Sequence, residues 1–439
     1  MVYATQASGI AGILGMARKV LLVTTVGWTS TARYAGGFAA ASWAVDAICP
    51  PGAPVSLSRY IDEWHAYRPL RALSSLRRAI DKSAPDLVVA CDDRAISHLL
   101  RLYARELKTR GEEGWAVKLL RRSFGALENF ESMMSRAESM QTASKIGIRT
   151  PDTIAVANEA ELEACLSQIG LPAVLKVDGS WGGDGVVVAR SRDEALRAFR
   201  RLRRPASRLR NVARALKRKD AHYFLAAVSP PKQHVSVQKF VAGRSSASAF
   251  SCWKGEMTGA LYYDVLVADG AIGPPNVIRR VDCPQMAEAS RRVAKHFGLS
   301  GIFGLDFIRD EAGDVHLIEI NPRTTQGGTL AFGEGRDLPS ALAASVTQCE
   351  TSRRVPIPND VVTFFPREWQ RDPASPHLMN GHHDVPWDDP AVLRDCFATV
   401  AKEQDAASRL AAQTLLAPDS GHLPVAKPIW RRALSMARS

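Results

Sequence analysis

The chain has 439 residues, 46% apolar and 23% charged, with a formal net charge of +12. That length holds two or three domains around a sizeable core, and the balance excludes a disordered or fibrous chain. The seven cysteines are scattered with no CxxC pair, which argues against a disulfide frame or zinc site and for the reduced thiols of a cytoplasmic protein. No run of eighteen apolar residues exists, so no membrane span is expected. Residues 1–17 lack a basic start before their apolar part and make a poor signal peptide; Met16 serves as well as Met1 as a start. The positive charge is local. Arg197 to Asp220 carries eleven Lys/Arg against one Asp, a balance of +10, which leaves +2 for the rest.

Lys19–Thr25 reads as a buried parallel strand, followed by a turn over Gly27–Thr31 and an Ala-rich helix from about Tyr34. Ala44–Cys49 reads as a second strand, Leu70–Lys82 as a helix, Asp86–Ala90 as a third strand and Ala95–Lys108 as a helix. This alternation predicts an open α/β domain with a parallel sheet. No GxGxxG follows the first strand, so no dinucleotide site is expected there. Cys91-Asp92-Asp93-Arg94 lies just past a strand's carboxyl end, where α/β sheets place ligands; a helix N-cap is the plainer role for either Asp.

Ser135–Ile146 reads as a helix closed by Gly147, and Glu159–Ile169 as another. Pro172–Asp178 and Val186–Ala189 read as strands around GSWGGDG. Lys176 interrupts the first strand just ahead of Gly179, Gly182, Gly183 and Gly185. Glycines let backbone N–H groups approach an anion, and lysine supplies a compact positive charge for phosphate. An ordinary hairpin with a snorkelling lysine fits the same residues. No Walker GK[ST] occurs in the chain.

Arg197–Lys219 has apolar residues at helical spacing and arginines elsewhere, as in a solvated basic helix. Docking on nucleic acid or an anionic surface through 197–220 is the sharper alternative; no aromatic residue between Arg200 and Asp220 is placed to stack bases. Val235–Val241, Ala247–Trp253 and Gly259–Val267 read as antiparallel strands, Gly270–Asn276 as a loop leading to Arg279 and Arg280, and Pro284–Gly298 as a helix.

Leu305–Asp310 and Val315–Ile320 read as a hairpin turning at Glu311–Asp314. Glu319 and Asn321 lie two apart and share one face, with Asp306 nearly opposite. Two carboxylates and an amide carbonyl are hard oxygen ligands suited to Mg2+. Acids that merely face solvent or pair with Arg309 and Arg323 are the alternative. Residues 324–339 read as a mobile Gly/Thr stretch before a helix ending at Cys349, and 351–439 as irregular until a helix over Pro390–Leu416. His382-His383-Asp384 reads as a pair of exposed loop histidines more readily than as a metal site.

In this order, DF…EINPR at 306–323 and VLKVDGSWGGDGV upstream resemble the ATP-grasp superfamily, over roughly residues 18–350. The resemblance implies a mixed α/β and α+β chain: an extension (1–17), an open α/β domain (18–134), the ATP-grasp domain with its basic insert (135–350), and a C-terminal extension (351–439). It implies Arg136 and Lys176 on the ATP phosphates, Gly182, Gly183 and Gly185 in the loop closing over them, and Gln238, Lys239 and Val241 on the adenine. Asp306, Glu319 and Asn321 match the Mg2+ (or Mn2+) ligands, Arg323 the arginine beside the transferred phosphate, and Arg279 a second one. Arg244 and Ser245 stand where the family often has a ribose-binding acid. The implied activity is an ADP-forming ligase of small-molecule carboxylates and amines, with ATP as phosphoryl donor. A kinase or carboxylase on the same fold, and a nucleotide-binding protein docked through the basic insert, are the alternatives; a homo-oligomer is left open.

Overall fold

The computed structural model describes residues 18–178, 185–203, 234–270, 273–348 and 354–403. Four parallel strands, β1 (Lys19–Val23), β2 (Ala44–Cys49), β3 (Glu63–Ala66) and β4 (Leu87–Ala90), form the first sheet in the order β3-β2-β1-β4. Helices α1 (Thr29–Ala40), α2 (Ala72–Ser83), α3 (Asp93–Arg110) and α4 (Trp115–Phe124) accompany it. Runs such as Val20-Leu21-Leu22-Val23 are buried on both faces, as helices flanking a parallel sheet require. The first helix starts at Thr29, inside the expected turn. Asp92 caps α3 by accepting from the Ala95 N–H at 2.8 Å.

Two short helices, α5 (Phe130–Met134) and α6 (Arg136–Lys145), lead into a second sheet. Its antiparallel strands are β5 (Thr153–Val156), β6 (Ala173–Val177), β7 (Val186–Ala189) and β8 (Val235–Lys239), in the order β5-β8-β6-β7. Helices α7 (Glu159–Ile169) and α8 (Arg192–Arg203) contribute Leu162, Leu166, Ala195 and Phe199 to its core. The described part of the basic run belongs to α8, where Arg200 forks onto Glu159 at 2.7 and 2.8 Å; positions 204–220 lie outside the described residues.

The third and largest sheet comprises β9 (Arg244–Trp253), β10 (Glu256–Ala268), β11 (Pro275–Arg280), β12 (Gly301–Arg309), β13 (Val315–Asn321), β14 (Val361–Phe364) and β15 (His382–Asp384). Its order is β13-β12-β9-β10-β11-β14-β15, antiparallel except for the last pair. Helix α9 (Pro284–His296) buries Met286 and Val293 with Phe303, Leu305 and Phe307 on one face. On the other, α10 (Leu338–Thr347) packs Leu338 and Leu342 with Ala249 and Ile302.

Three expectations need correcting. The stretch after Arg323 is not a loose linker: Gly327, Gly328 and Thr329 are buried, and the Thr324 N–H donates to the Ala90 carbonyl at 3.1 Å. Residues 354–389 are not irregular. They add β14 and β15 to the main sheet, with α11 (Arg367–Arg371) and α12 (His377–Asn380) between them, and α13 (Pro390–Glu403) starts where the helix was expected. They also fasten to α1 and to the segment between β2 and β3, Arg33 to Asp384 at 2.5 Å and Ser58 to Asp389 at 2.5 Å. The adjacent histidines sit in β15, not a polar loop. Burial pushes His383 down to about 4, and its ring packs edge-on against Phe365 at 5.4 Å.

Candidate active site

The β12–β13 hairpin forms as expected and carries the acids. Asp306 and Glu319 are direct cross-strand partners, and Asn321 faces Gly304 one step along. All three side chains therefore leave the same face of the sheet. The Asn321 amide donates to Asp306 Oδ2 at 3.0 Å, which fixes the amide's orientation. The register slips after this pair, so that Phe307 faces Leu317 and Ile318 is the extra residue of a β-bulge. The bulge presents the Ile318 carbonyl to the second sheet, where Lys176 Nζ donates to it at 3.1 Å and Gln238 Nε2 at 3.3 Å. Gln238 also donates to Thr153 Oγ1 at 2.9 Å.

Arg136 closes the third side. It opens α6 behind the Ser135 cap, and its guanidinium donates to Glu319 Oε1 at 2.9 Å and to the Val177 carbonyl at 2.5 Å. Residues from positions 136, 176 and 319 thus meet in one crevice between the second and third sheets. Their charges are mutually tuned. Burial pushes Lys176 down to about 8, against the opposing pull of Glu319. Burial and the neighbouring Glu319 charge push the Asp306 carboxyl up to about 6. Glu319 is also penalised by burial, but Arg136 and then Lys176 outweigh this and hold it below the usual carboxylate range.

Arg323, just beyond β13, reaches the start of α3 beside the first sheet. Its Nε donates to Asp93 Oδ2 at 2.9 Å, its Nη1 to the Thr324 carbonyl at 3.1 Å, and its guanidinium lies 5.7 Å from the centre of the Trp28 ring. Tyr263 and Arg323 are also close enough for Arg323 to oppose the upward push of burial on the phenol. Lys239 is exposed and Val241 half-buried at the end of β8 and just after it, beside the crevice-lining Gln238. Gly185 adopts φ +100°, a left-handed value that favours glycine, and its carbonyl accepts from Val177 at 3.1 Å. Gly182 and Gly183 lie outside the described residues.

Arg279 does not join the group. It pairs in register with Asp264, then Ser246 and Phe307, whereas Asp306 aligns with Ala247, Tyr263 and Arg280. Side chains alternate along a strand, so Arg279 faces away from the acids. The sequence gives two adjacent arginines here, and only the register decides between their faces. Sequence reasoning overlooked Asp93 and Trp28 as partners of Arg323, although the Asp92-Asp93 pair at a strand's carboxyl end was the available signal.

Among the described residues, Asp46, Glu63 and His65 also bring potential metal-ligand atoms within 4.8 Å of one another. Asp46 is already engaged there by Lys19 at 3.2 Å, Ser83 at 2.6 Å and the Glu63 N–H at 3.1 Å. Among the described residues, Glu319 and Asp306 each accept one side-chain hydrogen bond, from Arg136 and from Asn321.

Residues 277–363 match the family model described as "ATP-grasp in the biosynthetic pathway with Ter operon". Carbamoyl phosphate synthase large chains are similar: that of Hyperthermus butylicus is 23% identical over 58% of this chain and 22% of its own length. That of Rubrobacter xylanophilus is 25% identical over 50% of this chain and 19% of its own. The chain thus spans about a fifth of the length of these curated relatives. Among solved structures, N5-carboxyaminoimidazole synthase from Aspergillus clavatus, in complex with ADP and 5-aminoimidazole ribonucleotide, superposes with a TM-score of 0.54. It is 14% identical, over 76% of this chain and 79% of that one. Biotin carboxylase from Campylobacter jejuni gives 0.53 at 14% identity, over 77% and 72%. No helix among the described residues is long and apolar enough to cross a membrane. The chain has the ATP-grasp fold of these solved structures.

Proposed function

We propose that the protein is an ATP- and Mg2+-dependent ligase that activates a carboxylate as an acyl phosphate and joins it to an amine or similar nucleophile. The observation that carries this reading is the meeting of Asp306, Glu319 and Asn321 with Lys176 and Arg136 in one crevice. The donor set fits a hard divalent cation: two carboxylates and an amide oxygen on one face, one carboxyl pushed up to about 6 by burial and then by the Glu319 charge. Bound there, Mg2+ supplies positive charge for the oxygens of the transferring phosphoryl group. Lys176 and Arg136 hold the ATP phosphates, Gln238 and the backbone at Lys239 and Val241 receive the base, and Arg323 faces the transferred group. The glycine loop around Gly182, Gly183 and Gly185 closes over the phosphates and excludes water from the acyl phosphate. The amine then displaces phosphate, and ADP and phosphate leave with the condensed product.

A screen of acids crossed with amines for ATP-dependent phosphate release, with Asp306→Ala as blank, tests this. Release that needs both an acid and an amine supports it; equal release from the blank overturns it. Carboxylation is the second reading. One solved neighbour, the biotin carboxylase domain of Hydrogenobacter thermophilus 2-oxoglutarate carboxylase, is described with MgADP and bicarbonate and has a TM-score of 0.52 at 16% identity. Bicarbonate as the activated acid gives a product heavier by carbon dioxide, which mass spectrometry separates from a condensation.

A further inference from the structure

We propose that Asp93 is a positioning residue for Arg323, so that the phosphate-facing side of the site is complete only when the N-terminal domain is in place. The inference rests on the ligase reading and assigns a role within it. Arg323 follows Pro322 just past the end of β13 and would otherwise carry a long side chain with many rotamers. Three contacts fix it. Asp93 accepts from Nε at 2.9 Å, the Thr324 carbonyl accepts from Nη1 at 3.1 Å, and the Trp28 ring lies 5.7 Å away. The Arg323 and Asp93 side chains are 14% and 23% exposed, so the pair is largely shielded from water. Among the described residues no side chain or backbone group takes Nη2, which leaves that edge of the fork for an anionic oxygen of a substrate.

Among the described residues Asp93 accepts no other side-chain hydrogen bond, and its charge also bears on Arg136. The N-cap of α3 is Asp92, which accepts from Ala95, Thr24 and Thr25. Asp93 occupies the first helical position, where its charge suits the helix N-terminus but makes no capping hydrogen bond. Its carboxylate points across the domain boundary instead. A point charge elsewhere in the first turn would serve the helix equally well; only this position reaches an arginine 230 residues downstream.

The test is a double-mutant cycle read in two ways. In steady-state phosphate release, Asp93→Ala is expected to lower kcat by about 10- to 100-fold and to leave the KM for ATP within about twofold. The Asp93→Ala/Arg323→Ala double variant falls no further than Arg323→Ala alone. Asp93→Asn, which keeps an acceptor oxygen, stays within about threefold of wild type. In thermal unfolding, the melting-temperature losses of the two alanine variants are expected to be less than additive in the double variant. Independent, multiplying losses in kcat, or additive losses in melting temperature, overturn the proposal. A wild-type protein without ATP turnover removes the ligase reading, and the thermal cycle then decides whether Asp93 holds Arg323.

Discussion

At the residue scale, the site holds groups that fit a substrate better than they fit the fold. Asp306 carries a carboxyl whose burial and neighbour Glu319 favour the neutral form. Its folded value is raised above the unfolded one, so at neutral pH it opposes folding, and the penalty fades as pH falls through about 6. Asp306→Asn is therefore expected to raise the melting temperature by a few degrees at pH 7.5 and to abolish phosphate release. Added Mg2+ should raise the wild-type melting temperature and leave that of the variant unchanged. Differential scanning fluorimetry with and without the ion checks both. Lys176 gives the opposite limb. Its folded value is lowered to about 8, so its charge is present below that pH and lost above it. The pH profile of kcat/KM for ATP should fall above about pH 8, and Lys176→Arg should remove that fall. Lys176→Met should raise KM for ATP at least about tenfold at pH 7, since no cation replaces the ammonium. These positions stood out in the sequence because Lys, Asp and Glu interrupt apolar strands, where a charge demands a reason.

At the element scale, the hairpin was legible from its alternation, but its bulge was not. Ile318 is one apolar residue among several, and only the pairing shows that its carbonyl turns to Lys176 and Gln238. The face of Arg279 was hidden for the same reason, since register is a property of pairs of strands. The segment after Arg323 was misread because its glycines suggest freedom when they answer crowding. A Cβ on Gly327 would lie 2.5 Å from the Tyr263 ring, and one on Gly328 would run into the Tyr34 hydroxyl. Tyr34 Oη also donates to the Thr325 carbonyl at 2.7 Å, so helix α1 holds this turn directly. Gly328→Ala is expected to cost about 1–3 kcal/mol through overpacking. Tyr34→Phe in the same chain removes the obstructing oxygen and should recover part of that loss, as urea unfolding of the single and double variants would show.

At the scale of the whole molecule, the α/β and α+β layers were legible from the order of strands and helices, whereas the part played by residues 354–389 was not. The short strands β14 and β15 carry little periodicity, and their partners lie far back in the chain. They extend the sheet beyond β11, while Asp384 and Asp389 reach Arg33 and Ser58. A chain stopped at 353 should therefore lose more than an appendage. The expected outcome is insoluble protein, or soluble protein lacking the cooperative melt of the full chain, and a cooperative melt near the wild-type temperature would contradict it.

One apolar cluster joins Tyr34 and Phe38 of α1 to Leu338 and Leu342 of α10 and to Phe365, Val392 and Phe397. During synthesis, the earliest of these side chains leave the ribosome some 300 residues before their first late partners. At about 5–20 residues per second, the part of that surface left uncovered by Val20, Leu22, Val45 and Leu87 waits about 15–60 s for its late partners. The nascent chain spends that interval with this remainder shielded by a chaperone or exposed to its neighbours.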